Sequence, residues 1–74
     1  MNDRKITNQD RALGRRIHKL RKHAGLSQEQ LASRTHLTQT HVSLVETGKR
    51  KASMTTLKKF ASMLGVKVKD LIPF

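Results

Sequence analysis

The chain has 74 residues, with 16 Lys and Arg against five Asp and Glu, a formal net charge of +11 at pH 7 and no cysteine. One small domain is all this length holds. Folding at this size hides only about 60% of the surface that the unfolded chain exposes, which argues against an enzyme with a deep, water-excluding cleft. Without Cys there is neither a disulfide framework nor a thiolate metal site. Self-repulsion on this scale destabilises a compact state unless an anionic partner is part of the function. The stretch from Met1 to Asp10 is polar, so no signal peptide is expected. No apolar run approaches the roughly 20 residues that span a bilayer. A cytoplasmic protein that does not engage the membrane is the expectation.

In chain order, residues 1–9 show no periodicity and are expected to form a flexible basic arm, with one domain over residues 10–74. The first helix is predicted from about Asp10 to Ala24. Leu13, Ile17, Leu20 and Ala24 fall on one stripe by their spacings of four, three and four, while Arg11, Arg15, Arg16, Lys19 and Lys22 take the other faces. Gly25 suits a left-handed C-cap, with Leu26 folding back as its hydrophobic contact. Ser27 and Gln30 then fit a capping box, and a short second helix, about Gln28 to Arg34, buries Leu31 and Ala32. His36-Leu37 forms a turn. Thr38 is the next N-cap, for a third helix over 39–47 that buries Val42 and Val45 and ends at Gly48. After the basic loop Lys49-Arg50-Lys51, Ser53 caps a fourth helix of about eleven residues. Its apolar stripe is Leu57, Phe60, Ala61 and Leu64, with Met54 at its edge, and Gly65 ends it. Val66 and Val68 lead into a last turn near Lys69–Ile72, and Pro73 stops it. The expectation is a compact all-α bundle of five short helices, with a helix-turn-helix over about 27–47.

Any α bundle contains helix pairs, so the informative feature is what the second of the pair leaves outside. With Val42 and Val45 inward, the outer stripe reads Gln39, Thr40, Ser43, Leu44, Thr47. An ordinary solvated face would carry Lys and Glu. This stripe instead offers amide and hydroxyl groups suited to base edges and an apolar group suited to thymine methyls. Gln39, Thr40, Ser43 and Leu44 are therefore the candidate base-contacting residues of a double-stranded DNA reader. Lys49, Arg50 and Lys51 flank the stripe as candidate phosphate contacts, since phosphate neutralisation supplies most sequence-independent affinity. Gln28 and Thr38 open helices whose free N–H groups and dipole favour a phosphate, although both also suit plain capping roles. His41, near the start of the third helix, is a further candidate for a phosphate or base, or an exposed side chain with no contact.

The chain also resembles the Xre/Cro-type phage-repressor helix-turn-helix family. The resemblance rests on Leu13-Gly14-Arg15-Arg16-Ile17 with Leu20-Arg21, on Gly25-Leu26-Ser27-Gln28-Glu29 with Leu31-Ala32, and on Val45-Glu46-Thr47-Gly48-Lys49. Leu57, Ala61, Leu64-Gly65-Val66 and Asp70-Leu71 continue it, so that it covers residues 11–72. It implies the lambda-repressor-like fold and a homodimer that binds a near-palindromic operator and controls transcription, with 39–47 as recognition helix. Position by position, Gln39, Thr40 and Leu44 match base-contacting residues, Gln28 a phosphate-contacting Gln and Lys49 a backbone-contacting Lys. Arg21 and Glu46 match an internal ion pair between helix one and the end of helix three. The sequence departs from the family pattern at His36, where the turn usually carries Gly, and at Ala52, where Pro is frequent. Small controller proteins of restriction–modification systems share this length and layout, and nothing in the sequence separates them from a phage or plasmid repressor.

A symmetric reader needs a dimer surface. Val68, Leu71, Ile72 and Phe74 concentrate apolar area near the C-terminus and are the candidate interface, the alternative being that they only close the monomer core. His18 and His23, like His36 and His41, are five apart and share no helix face, so neither metal nor other cofactor is expected. No small-molecule effector is expected either. An antitoxin-like protein-interaction module is the second reading. Charge-only binding to RNA or membrane is a third, weakened for single-stranded RNA by the lack of stacking aromatics, since the chain has two Phe and neither Tyr nor Trp.

Overall fold

Side-chain caps set where the first four helices begin in the computed structural model, which describes residues 5–74. The helices are α1 (Asn8–His23), α2 (Gln28–Thr35), α3 (Gln39–Glu46), α4 (Met54–Leu64) and α5 (Val68–Leu71). Thr7 opens α1 with a capping box: its hydroxyl accepts from the Asp10 N–H, and the Asp10 carboxylate accepts from the Thr7 N–H at 2.8 Å. Helix α1 therefore starts at Asn8 rather than Asp10. The arm expected over residues 1–9 loses Thr7, Asn8 and Gln9 to the helix and its cap, and residues 1–4 lie outside the described part. Ser27 and Gln30 form the box that opens α2, with bonds of 3.0 and 2.8 Å. Thr38 and Ser53 each accept from the N–H three residues on.

The first four helices end by one scheme. After α1, the Leu26 N–H bonds the Arg21 carbonyl and the Gly25 N–H bonds that of Lys22, the paired bonds of a Schellman end. The same pairing recurs with Gly48 after α3 and Gly65 after α4, and with His36 after α2. His36 is left-handed, φ 59° and ψ 35°, and is the one non-glycine with positive φ among the described residues. The turn thus keeps the geometry that glycine would give it and accepts an imidazole there, against a conformational penalty of about 1–2 kcal/mol for an L-residue.

The core is Leu13 and Ile17 from α1, Leu31 and Ala32 from α2, Val42 and Val45 from α3, Leu57, Phe60 and Ala61 from α4, and Leu71 from α5. Leu20, Leu37, Leu64, Val66, Val68 and Ile72 pack around it. Helix α2 packs on both α3 and α4, while α1 bridges α3, α4 and α5. The Arg16 guanidinium fixes the short last helix by donating to the Asp70 carbonyl at 2.9 Å. Ala24, expected on the buried stripe of α1, is exposed where the helix has already ended, and Met54, at the edge of the α4 stripe, is 54% exposed in its first turn. No described helix is long and apolar enough to cross a membrane.

Candidate nucleic-acid interface

Helix α3 sits with Val42 and Val45 against the core, which leaves Gln39, Thr40 and Thr47 exposed and Ser43 and Leu44 half-buried. Gln39, Thr40, Ser43 and Leu44 come together with Gln28, the first residue of α2, around one shallow depression. A second depression joins Gln28 and Gln39 to Ser27, Glu29 and Gln30. The residues singled out as base-contacting thus share one surface with the α2 N-terminus. It bears amides, hydroxyls and one leucine, with no charged group among the five.

Gln28 is held from behind. Its Nε2 donates to Glu46 Oε1 at 3.0 Å, which leaves its second N–H for an outside acceptor. Glu46 is the hub of this support. Arg21 Nε donates to Glu46 Oε2 at 2.6 Å and Arg21 Nη2 to Oε1 at 3.1 Å, a two-point pair buried at both ends. Arg21 Nη1 also reaches the Leu26 carbonyl at 2.7 Å. His18 Nδ1 lies 2.9 Å from Glu46 Oε1. Sequence reasoning missed His18, but it sits three residues before Arg21, on the same face of α1. Burial pushes the Glu46 carboxyl up. The hydrogen bonds from Arg21, Gln28 and His18 outweigh it and hold the group below the usual carboxylate range.

A second feature positions α3 on α1. At Gly14 a Cβ would lie 2.3 Å from the Val45 carbonyl oxygen and 2.6 Å from that of Glu46. The missing side chain is what lets the two backbones touch. A helix-interior Gly between Leu13 and Ile17 is the signal that predicts such an approach.

Around the stripe, the candidate phosphate contacts divide. Lys49 and Arg50 are exposed and, among the described residues, have no carboxylate within ion-pair distance. Lys51 is drawn inward. Its Nζ lies 2.7 Å from Asp10 Oδ2, tying the loop to the first turn of α1, and that hydrogen bond is the main cause lowering the Asp10 pKa. Lys51 is thus a tether whose charge is already met. Thr38 spends its hydroxyl on capping, accepting from the His41 N–H at 3.0 Å. His41 is half-buried and lines a depression with Ile6, Lys49, Arg50, Lys51, Ser53 and Thr56. Burial, and then the nearby Arg50 charge, lower its pKa below the ordinary value for histidine.

The expected dimer residues also divide. Leu71 is fully buried in the monomer core, so it cannot face a partner; α5 turns it inward to close the base of the bundle. Val68 and Ile72 are half-buried, and Phe74 is 60% exposed. Among the described residues no group of three or more His, Cys, Asp or Glu could hold a metal.

Five helices among the described residues, a capped helix-turn-helix and an uncharged outward stripe define a class. A model of the helix-turn-helix family matches residues 17–71, and the chain belongs to that family. It is 37% identical over 71 residues to the control protein C.BamHI of Bacillus amyloliquefaciens, an alignment spanning 93% of this chain and 88% of that protein. Among solved structures, the restriction–modification controller protein C.AhdI of Aeromonas hydrophila is 35% identical, with a TM-score of 0.81 over 84% of this chain and 94% of that one. The hypothetical transcription factor NHTF from Neisseria is 28% identical, with a TM-score of 0.83 over 97% of this chain and 83% of that one. The chain is a helix-turn-helix DNA-binding regulator homologous to restriction–modification controller proteins.

Proposed function

We propose that the chain acts in the cytoplasm as a homodimer that binds a near-palindromic operator and controls transcription, with a restriction–modification system as its setting. The observation that carries this reading is the uncharged α3 stripe meeting the α2 N-terminus at Gln28. Gln39, Thr40, Ser43 and Leu44 enter the major groove. Gln28, Lys49 and Arg50 hold the backbone on either side, and Lys51 keeps the loop in register through Asp10. One helix-turn-helix reads only a few base pairs, so two related by a two-fold axis, about 34 Å apart, make a usable site. The likeness to C.BamHI and C.AhdI supports the restriction–modification setting. Repression follows if the dimer occupies a promoter, and activation if it binds beside one.

Competition binding tests the site. Gln39→Ala or Leu44→Ala should relax sequence preference by about 1–3 kcal/mol per lost base contact. Lys49→Ala or Arg50→Ala should weaken every sequence alike and reduce the salt slope by about one. Unchanged preference in the first pair, or operator-only loss in the second, contradicts the assignment.

In this reading the two copies meet through the C-terminal apolar patch of Val68, Ile72 and Phe74. Because Phe74 is so exposed, Phe74→Asp should leave the fold intact and shift sedimentation from dimer to monomer. A dimer unaffected by that charge places the interface elsewhere.

His41 gives the binding a pH dependence of known sign. Its lowered pKa leaves it neutral in the free protein at neutral pH, and a phosphate beside it favours the protonated form. Affinity should therefore rise as pH falls through the range of histidine, by up to about tenfold per pH unit for one proton taken up. His41→Gln should flatten that dependence; an equally steep variant removes His41 from the contact.

A further inference from the structure

Across α2 from the α3 stripe lies a groove that the DNA-reading face does not use. It is walled by the end of α2 and by α4, and lined by Arg34, Thr35, His36, Lys58, Lys59 and Met63. Its volume is about 300 Å³ and its exposed lining is almost wholly apolar. Met63 is 38% exposed there, among the largest apolar side chains left outside the core. Three exposed cations, Arg34, Lys58 and Lys59, border it. Among the described residues none of the three has a carboxylate within ion-pair distance. His36 also lines the groove, and its left-handed backbone is the one non-glycine exception among the described residues.

We propose that this groove is a docking surface for an acidic, amphipathic helical segment of another protein, with an apolar residue of that segment seated against Met63 and its carboxylates on Arg34, Lys58 and Lys59. Charge complementarity selects the occupant. Among its described residues a second copy of the chain offers few acids: Asp10 and Glu46 are ion-paired and the Asp70 carboxylate accepts from the Lys67 N–H, which leaves Glu29 as the free side-chain carboxylate. Duplex DNA fits poorly as well. Phosphates are met by cations and N–H groups, whereas an apolar floor rimmed by cations suits carboxylates that flank an apolar anchor. The placement also favours simultaneous binding, because α4 packs chiefly on α1, α2 and α5. A protein held at this groove would leave the α3 face open to DNA. The inference stands apart from the operator reading and survives if the particular base contacts assigned above are wrong.

The probe is a short blocked peptide of alternating Glu and Leu blocks, compared with a Glu/Ser peptide of equal charge, at physiological salt, where long-range attraction is screened. Amide chemical shifts should move at Arg34–His36 and Lys58–Met63, in the free protein and in its DNA complex alike. Lys58→Glu with Lys59→Glu should lower Glu/Leu peptide affinity by about tenfold. Met63→Ser should lower it several-fold with folding unchanged, since the side chain lies partly in solvent. A control pair, Arg15→Glu with Lys19→Glu on α1, removes the same charge and should change it little. Equal affinity for the Glu/Ser peptide, shifts scattered over every cationic face, or equal loss in the control pair would each reduce the effect to general attraction and overturn the proposal. So would the same shifts on adding duplex DNA alone, or a change in self-association on Met63→Ser, which would assign the groove to nucleic acid or to a second copy.

Discussion

Gly14→Ala should leave the chain without a cooperative unfolding transition, or with one far below that of the parent. The substitution is favourable for helix formation by itself, by about 1 kcal/mol. What opposes it is contact. The new carbon would sit 2.3 Å from one backbone oxygen of α3 and 2.6 Å from the next, and neither belongs to a flexible side chain. Helix α3 must move off α1, which separates Leu13 and Ile17 from Val42 and Val45 and stretches the Arg21–Glu46 pair. Overpacking of a well-filled core typically costs about 1–3 kcal/mol, occasionally more, and here it comes with a lost ion pair. A single core in a chain this small supplies about 3–5 kcal/mol in total. Thermal denaturation followed by circular dichroism measures the outcome. A melting temperature at or above that of the parent would show that helix propensity wins and that the two backbones do not touch.

Glu46→Ala should be nearly as damaging, because it strands the buried Arg21 guanidinium. Removing one partner of a buried ion pair costs about 3–5 kcal/mol. Glu46→Gln keeps the shape and part of the hydrogen bonding, so it should fall between Ala and the parent. A joint replacement of Arg21 and Glu46 by Met and Leu should recover much of the loss, since no charge is then left alone. Urea denaturation of the four proteins orders them. If Glu46→Ala and the joint replacement are equally unstable, the loss is one of packing rather than of an unpaired charge. The same group sets an acid limit. Its pKa is lower folded than unfolded, so its contribution is complete above the unfolded value and is lost as pH falls through the folded one. Because Gln28 hangs on Glu46, Glu46→Gln should also loosen DNA binding while the protein remains folded.

Much of the fold was legible because caps and periodicity agreed. Ser27 with Gln30, Thr38, Ser53, Gly25, Gly48 and Gly65 mark ends in the sequence that are ends in the structure. The start of α1 escaped notice because Asn8 and Gln9 add polar residues before the apolar stripe begins, and an Asp closes the box at Thr7. Apolar residues four apart near the end of a chain fit a core face and a partner face equally well, and only packing shows that Leu71 goes inward. The α3 stripe could be read off two inward valines. The support behind it was half visible. Arg21 with Glu46 came from resemblance, whereas His18, Gln28 on Glu46, and Lys51 on Asp10 join residues 18 to 41 positions apart that no local pattern connects.

In the proposed reading, charge brings this protein to DNA and the α3 stripe decides where it stays. Selection of bound fragments from the source genome, run in parallel on the parent and on Gln39→Ala with Leu44→Ala, tests it most directly. The parent should enrich one short, nearly two-fold symmetric sequence, with half-sites about one helical turn apart, upstream of a gene. The double variant should still bind DNA but lose that enrichment. Enrichment of no common sequence by the parent, or of the same sequence by both proteins, would contradict it.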